Sequence, residues 1–160
     1  MRSRSPEIWD VYVEVFGDRT SYDEWLDGML LRHAAREKFR FAAALEGSAL
    51  VGFAWGYRGA PGQYYTDSVR DALGDELADQ WQPAFEIVEL AVLPGHRRGG
   101  LGRSLLHMMT QGIAGPARVM LGRRRAISPE PFAIFLRRYG SFPRLWGATD
   151  LVVSGPGGGR

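Results

Sequence analysis

The residues equipped for chemistry crowd into one stretch, from Glu86 to Leu106. It opens with two carboxylates, Glu86 and Glu89, set in an apolar run. It ends in a glycine-rich loop, with Arg97, Arg98 and Arg103 around Gly99, Gly100, Leu101 and Gly102 and with Ser104 behind them. Glycines let successive backbone N–H groups converge on one point with no side chain in the way. A helix opening at such a loop adds its orphan N–H groups and the positive end of its dipole. Three guanidiniums add formal charge and Ser104 adds a hydroxyl donor, so the stretch reads as a pyrophosphate cradle. Two familiar cradles are excluded. No Gly-Lys-Ser/Thr follows, as a P-loop requires, and the glycines miss the Gly-x-Gly-x-x-Gly spacing of dinucleotide-binding folds.

The elements that must hold this loop are legible around it. Phe85 to Leu93 reads as a central strand, apolar on both faces except at the two carboxylates, and Pro94 and Gly95 end it. Strict alternation puts Glu86 on one face with Val88, Leu90 and Val92, and turns Glu89 to the other. A helix follows through Leu105, Leu106, Met108 and Met109. Upstream, Pro6 to Phe16 has helical spacing, and Thr20 or Ser21 can cap a second helix with Tyr22, Trp25, Met29 and Leu30 in its stripe. Phe39–Leu45 and Ala49–Tyr57 read as a hairpin about a polar turn. Val69, Leu73 and Leu77 predict one helix over 66–81. Downstream come a short strand to Leu121, a helix from Pro129 to Tyr139, and a strand from Leu145 to Val153. The expectation is a single domain over 1–153 and a flexible tail over 154–160.

Composition narrows the class. The chain has 160 residues, 45% apolar and 24% charged, with five Trp and no cysteine. That supplies one core and excludes disorder, collagen, a disulfide scaffold and any thiol chemistry. No apolar run approaches the roughly 20 residues of a membrane helix, and no signal region follows Met1, so a cytoplasmic protein without membrane contact is expected. His33, His96 and His107 lack metal-ligand spacing; they read as surface or packing residues and no metal is expected. The net charge of +2 hides an asymmetry: 16 of the 18 carboxylates lie in residues 1–90, and 11 arginines in residues 91–160. Two ligands of opposite charge would explain the split, as would two solvated surfaces.

Arg97-Arg98-Gly99-Gly100-Leu101-Gly102 resembles the Arg/Gln-x-x-Gly-x-Gly/Ala signature of the GCN5-related N-acetyltransferase (GNAT) superfamily. The preceding Leu90-Ala-Val-Leu-Pro94 is similar to the family as well, and the element order from Ser21 to Val153 matches it. The resemblance implies an α/β fold, a mixed and mostly antiparallel sheet with a splayed central strand pair and helices on both faces. It implies acetyl-CoA as co-substrate. Backbone N–H groups of Arg98, Gly99, Gly100, Leu101 and Gly102, with Arg103 and Ser104, would hold the pyrophosphate. Arg97 takes the signature's first position, with a surface salt bridge as its other reading. The strand's backbone over Leu90, Ala91 and Val92 would pair with the pantetheine arm. The Leu90 N–H would stabilise the oxyanion formed as the amine attacks.

Acetyl transfer to an amine also needs a base, acting directly or through water. Alignment on the loop puts Glu86 where the histone acetyltransferase branch keeps its base, and Glu89 is the reserve; a buried ion pair with arginine is the other reading of either. The family's general acid is a tyrosine four residues before a Gly-Phe pair. Here that position is Leu136, Tyr139 is displaced by three residues, and the pair has become Gly140-Ser141-Phe142. Tyr139 serves only if its helix is rotated; otherwise the thiolate leaves unprotonated or takes a proton from water. The acceptor side carries Tyr64, Tyr65, Asp67, Asp71, Asp75, Glu76, Asp79 and Trp81, which suit a cationic amine or else form a solvated helix. Polyamine, aminoglycoside, amino acid and protein amine stay open.

Two other classes compete with a transferase. One is an acyl-CoA-binding module without catalysis, for which the missing tyrosine speaks. The other is a nucleic-acid binder using Arg123–Arg125 and Arg137–Arg138, although no recognition motif accompanies them. The family usually begins with a strand, yet Pro6 already starts a helix. A sheet edge left open there would suit a homodimer.

Overall fold

The computed structural model describes residues 2–113, 119–121 and 150–154. The expected helix over 129–139, and Tyr139 with it, lies outside them, as do residues 155–160 of the tail. Pro6 sits in the first turn of α1 (Ser5–Phe16), and Gly17 closes that helix in the left-handed conformation. Ser21 caps α2, its Oγ accepting from the Glu24 N–H at 3.3 Å. The α2 helix starts as Tyr22–Trp25, widens into π turns over Leu26–Leu31 and finishes as Arg32–Ala34.

The hairpin β1 (Arg40–Glu46) and β2 (Ala49–Arg58) follows. The one helix expected over 66–81 is two, α3 (Tyr64–Leu73) and α4 (Asp75–Trp81), because Gly74 at φ 75° leaves the helical region. Then come β3 (Phe85–Val92), α5 (Leu101–Thr110), β4 (Val119–Leu121) and β5 (Asp150–Ser154).

The strands stand in the order β4-β3-β2-β1-β5, antiparallel throughout except for the parallel β3–β4 pair. Two features of this sheet matter for function. β4 pairs only with Phe85–Ile87, so from Val88 onward the outer edge of β3 has no strand neighbour among the described residues. At the opposite end, β5 pairs with Phe41–Leu45. The edge beside β1 is therefore covered by the chain's own strand, and β5 is the edge strand on that side among the described residues.

Both faces of the sheet are packed. Ile8, Tyr12, Trp25 and Leu30 from α1 and α2 meet Phe41, Phe53 and Trp55 on one face. Leu105 and Met109 of α5 meet Ala42, Ala54 and Ile87 on the other. Each large side chain buried this way contributes about 1.5–3 kcal/mol. Arg40 closes α5, its Nη1 donating to the Met109 carbonyl at 3.2 Å and to that of Gln111, a cation at the negative end of the helix. No helix among the described residues is long and apolar enough to cross a membrane.

Candidate active site

The glycine loop runs from the 3-10 turn Pro94–His96 into the first turn of α5. Gly100 caps the helix at φ 88°, where a side chain is strained, and contributes no side-chain hydrogen bond. The first amide to donate within the helix is that of Ser104, to the Gly100 carbonyl at 3.0 Å. The N-cap residue therefore leaves the amides of Leu101 and Gly102 without a side-chain cap. Arg98 is held at φ 70°, a conformation that costs a residue with a Cβ and persists only where its surroundings impose it. Gly99 and Gly102 have neither a positive φ nor a neighbour within 4 Å of a notional Cβ. Nothing inside the protein demands glycine at those two positions. The space a Cβ would fill opens outward, which fits an anion lying against the backbone.

Arg97, Arg98 and Arg103 are exposed around this loop, and Ser104 is half-buried. Arg97 forms no salt bridge among the described residues; its Nε donates to the Val92 carbonyl at 2.9 Å, tying the loop to the end of β3. The orientation of the β3 backbone follows from the ladder. Leu93 N–H donates to Val51 C=O at 3.0 Å, so Gly52 and Val92 form a non-hydrogen-bonded pair. Antiparallel pairs alternate, and Ala91/Phe53 is then bonded while Leu90/Ala54 is not. The N–H and C=O of Leu90 and Val92 consequently point away from β2, toward the edge that β4 leaves open.

The carboxylates correct the sequence reading. Trp55 pairs with Glu89 but Gly56 with Ile87, so Val88 is an extra residue, a β-bulge. Glu86, opposite Tyr57, and Glu89, opposite Trp55, therefore share the α1–α2 face. Leu90 and Val92 pack on the α5 face with Ile87. Gly56 makes room for the irregularity, since a Cβ there would run into the Glu86 carbonyl.

Glu86 is 1% exposed and Glu89 6%. One Glu86 oxygen, Oε1, accepts from Thr66 Oγ at 2.6 Å; the other, Oε2, is buried without a partner among the described residues. Gly59 lies directly against the carboxyl group, where a Cβ would overlap it. Burial pushes the Glu86 carboxyl above the usual range; the Thr66 hydrogen bond and then the charge of Arg36 pull it back, and Asp67 adds to the rise. Thr66 is itself 2% exposed, and its carbonyl accepts from Gln82 Nε2 at 2.7 Å. Burial, then Glu86, also raises the phenol of Tyr65.

Thr66, Gln82, Tyr57 and Arg36 were not visible as site residues in the sequence. A threonine in a first helical turn reads as a cap, and Tyr57 reads as core. The acidic face expected on α3 and α4 is partly spent: Arg70 binds Asp75 at 2.9 Å and Asp79 at 2.6 Å, and Asp67 Oδ1 accepts from the Gly62 N–H. Tyr64 is 76% exposed, and Asp71 and Glu76 face solvent. His33 is buried and accepts from Trp55 Nε1 at 3.3 Å, His96 meets Glu46 at 3.2 Å, and His107 is exposed. No group of three or more metal-ligating side chains occurs among the described residues.

Comparison with known proteins bears on this arrangement. Two crystal structures are similar to the chain. One is a Desulfovibrio desulfuricans protein assigned to the GNAT family of acetyltransferases, at 22% identity and TM-score 0.43, matched over 69% of this chain and 59% of that one. The other is PaiA N-acetyltransferase from Thermoplasma acidophilum in complex with coenzyme A, at 16% identity and TM-score 0.41, over 66% of this chain and 63% of that one. The chain thus spans about three fifths of the length of these neighbours. Comparison with curated proteins finds no match. The model of the Acetyltransferase (GNAT) family matches residues 5–114, well over half of the chain, and the protein belongs to that family.

Proposed function

We propose that the protein moves the acetyl group of acetyl-CoA to the primary amine of a small acceptor by direct attack. The observation that carries this reading is the outward Leu90 N–H on the open edge of β3, beside a loop of uncapped amides. In this reading the backbone amides of Arg98–Gly102 and the positive end of α5 receive the diphosphate, with Arg97, Arg103 and Ser104 around them. The edge from Leu90 to Val92 offers the pantetheine arm the hydrogen bonds of an absent strand. The thioester supplies an activated acyl group, and the Leu90 N–H donates to its oxygen as negative charge builds there.

Glu86 takes the ammonium proton. Its raised pKa brings it nearer the working pH, which a base needs. It stands opposite Tyr57 and Leu90 opposite Ala54, three residues of β2 or roughly 10 Å apart, so the proton travels through water. Glu89, one residue from Leu90, is the reserve. A second reading, an acyl-CoA-binding module without turnover, draws on Leu136 standing where the family keeps its tyrosine.

Calorimetry with acetyl-CoA and thiol release over a panel of amines test the proposal. Saturable binding, turnover with at least one amine, and about a 10²–10⁴-fold loss of kcat in Glu86→Gln with binding retained are expected. Binding without turnover favours the module. Absence of binding overturns both readings, and equal turnover by Glu86→Gln removes that residue from the mechanism.

A further inference from the structure

We propose that the acceptor carries a carboxylate within a few bonds of its amine, as a small amino acid does, and that Arg36 holds that carboxylate. The inference rests on the transferase reading and narrows it. Arg36 follows α2 in a turn fixed by its N–H donating to His33 C=O at 3.0 Å and by Phe39 N–H donating to its own carbonyl at 3.3 Å. Its guanidinium carbon lies 4.5 Å from the centroid of the Tyr57 ring. Tyr57 stands opposite Glu86 in the β2–β3 ladder, and directly opposed side chains share a face about 5 Å apart. The guanidinium thus covers the phenol ring of the residue that stands opposite Glu86.

Arg36 and Glu86 each have one buried atom without a hydrogen-bond partner among the described residues, Nη1 and Oε2 respectively. They do not satisfy one another, although the Arg36 charge is felt at both Glu86 and Tyr57. A buried N–H of a charged group is expensive to leave unmade. One ligand lying across Tyr57 answers both ends: its amine on the Glu86 side, in reach of that carboxylate through water, and an oxyanion on Arg36. A polyamine or an aminoglycoside would satisfy Glu86 but would set further positive charge beside Arg36. Sites whose buried polar groups are completed by a ligand discriminate sharply against analogues that lack the matching group.

The test pairs each amino acid with its uncharged amide: alanine with alaninamide, phenylalanine with phenylalaninamide. Thiol release is measured with acetyl-CoA for the full chain, for Arg36→Gln and for Arg36→Lys, and thermal melts check that each variant folds. In the parent, the acid of at least one pair is expected to exceed its amide about 10- to 100-fold in kcat/KM, mostly through KM. That ratio falls to about one in Arg36→Gln and is partly kept in Arg36→Lys. Calorimetry of the same pairs against the CoA-loaded protein gives an answer independent of turnover. Selective binding of the acid, lost in Arg36→Gln, supports the inference even if the transferase reading fails. Amides equal to or better than acids in the parent overturn it, as does an equal loss on both members of each pair in Arg36→Gln. Failure of every acid to bind in calorimetry likewise overturns it, and leaves transfer to other amines standing.

Discussion

Thr66→Val isolates one hydroxyl. Thr66 Oγ donates to Glu86 Oε1 at 2.6 Å with both residues buried, while the second tie of Thr66 runs through its carbonyl to Gln82 and survives the change. Donation to a carboxylate favours the ionised form, so its loss drives the Glu86 carboxyl further above the ordinary range, in the direction burial already pushes it. Hydrogen bonds to charged groups contribute about 1.5–3 kcal/mol. The lower bound corresponds to about a tenfold smaller ionised fraction wherever Glu86 is mostly protonated.

The assay is kcat/KM against pH, which reports the free enzyme's base. The acid limb of Thr66→Val should move to higher pH, with kcat/KM on the limb down about tenfold and the alkaline plateau within about twofold. Thr66→Ser should restore the parent profile. Stability moves with it. A carboxyl raised by burial is harmless below its unfolded pKa of about 4.3, and its stabilising neutral form is lost as pH rises through the folded value. Urea unfolding should therefore show Glu86→Gln gaining on the parent as pH rises, and Thr66→Val falling behind it. A limb unmoved in Thr66→Val, while Glu86→Gln is inactive, would refute the coupling of Thr66 to the base.

The other expectations concern the cradle and the frame. Gly102→Glu should melt with the parent, because its Cβ meets nothing within 4 Å, yet lose acetyl-CoA affinity by about 100-fold or more in calorimetry; undiminished binding would remove the cradle. Gly100→Ala should cost about 1–2 kcal/mol through its φ of 88°, read by urea unfolding; no loss would mean that the loop relaxes. Gly56→Ala places a Cβ on the Glu86 carbonyl and should cost about 2–4 kcal/mol, a fall of roughly 4–16 °C in Tm. Arg40→Met removes the cap of α5 and should lower Tm by about 2–4 °C for each kcal/mol lost, with about 1 kcal/mol expected.

What was legible in the sequence was local. Strand, loop and helix over 85–110 announce themselves because apolar spacing, Pro94 and the glycines all act within a few residues. Ser21 as a cap and Pro6 in a first turn are equally short-range. The relative placement of Glu86 and Glu89 was not legible, because it depends on Val88 slipping out of register with β2. Gly56 was the available signal, since an isolated glycine inside a strand often marks a bulge or a close approach. Gly74 likewise announced the break between α3 and α4, but the i, i+4, i+8 series of Val69, Leu73 and Leu77 masked it. Arg36 gave no signal at all, for its role depends on Tyr57 and Glu86 standing opposite one another across two strands.

The bulge joins these observations. A bulge sharpens the local twist of its strand, and Val88 is the residue it inserts into β3. Where β3 gains that residue, Glu89 turns onto the face of Glu86. Beyond it, the N–H groups of Leu90 and Val92 point away from β2. On the α1–α2 face Glu86 accepts from Thr66 and stands opposite Tyr57, and Glu89 stands opposite Trp55. A strand in strict alternation could not do this, because with an even spacing of side chains Glu86 and Glu89 would sit on opposite faces. One inserted residue of β3 thus decides both which face its two carboxylates share and which edge the amides beyond it address.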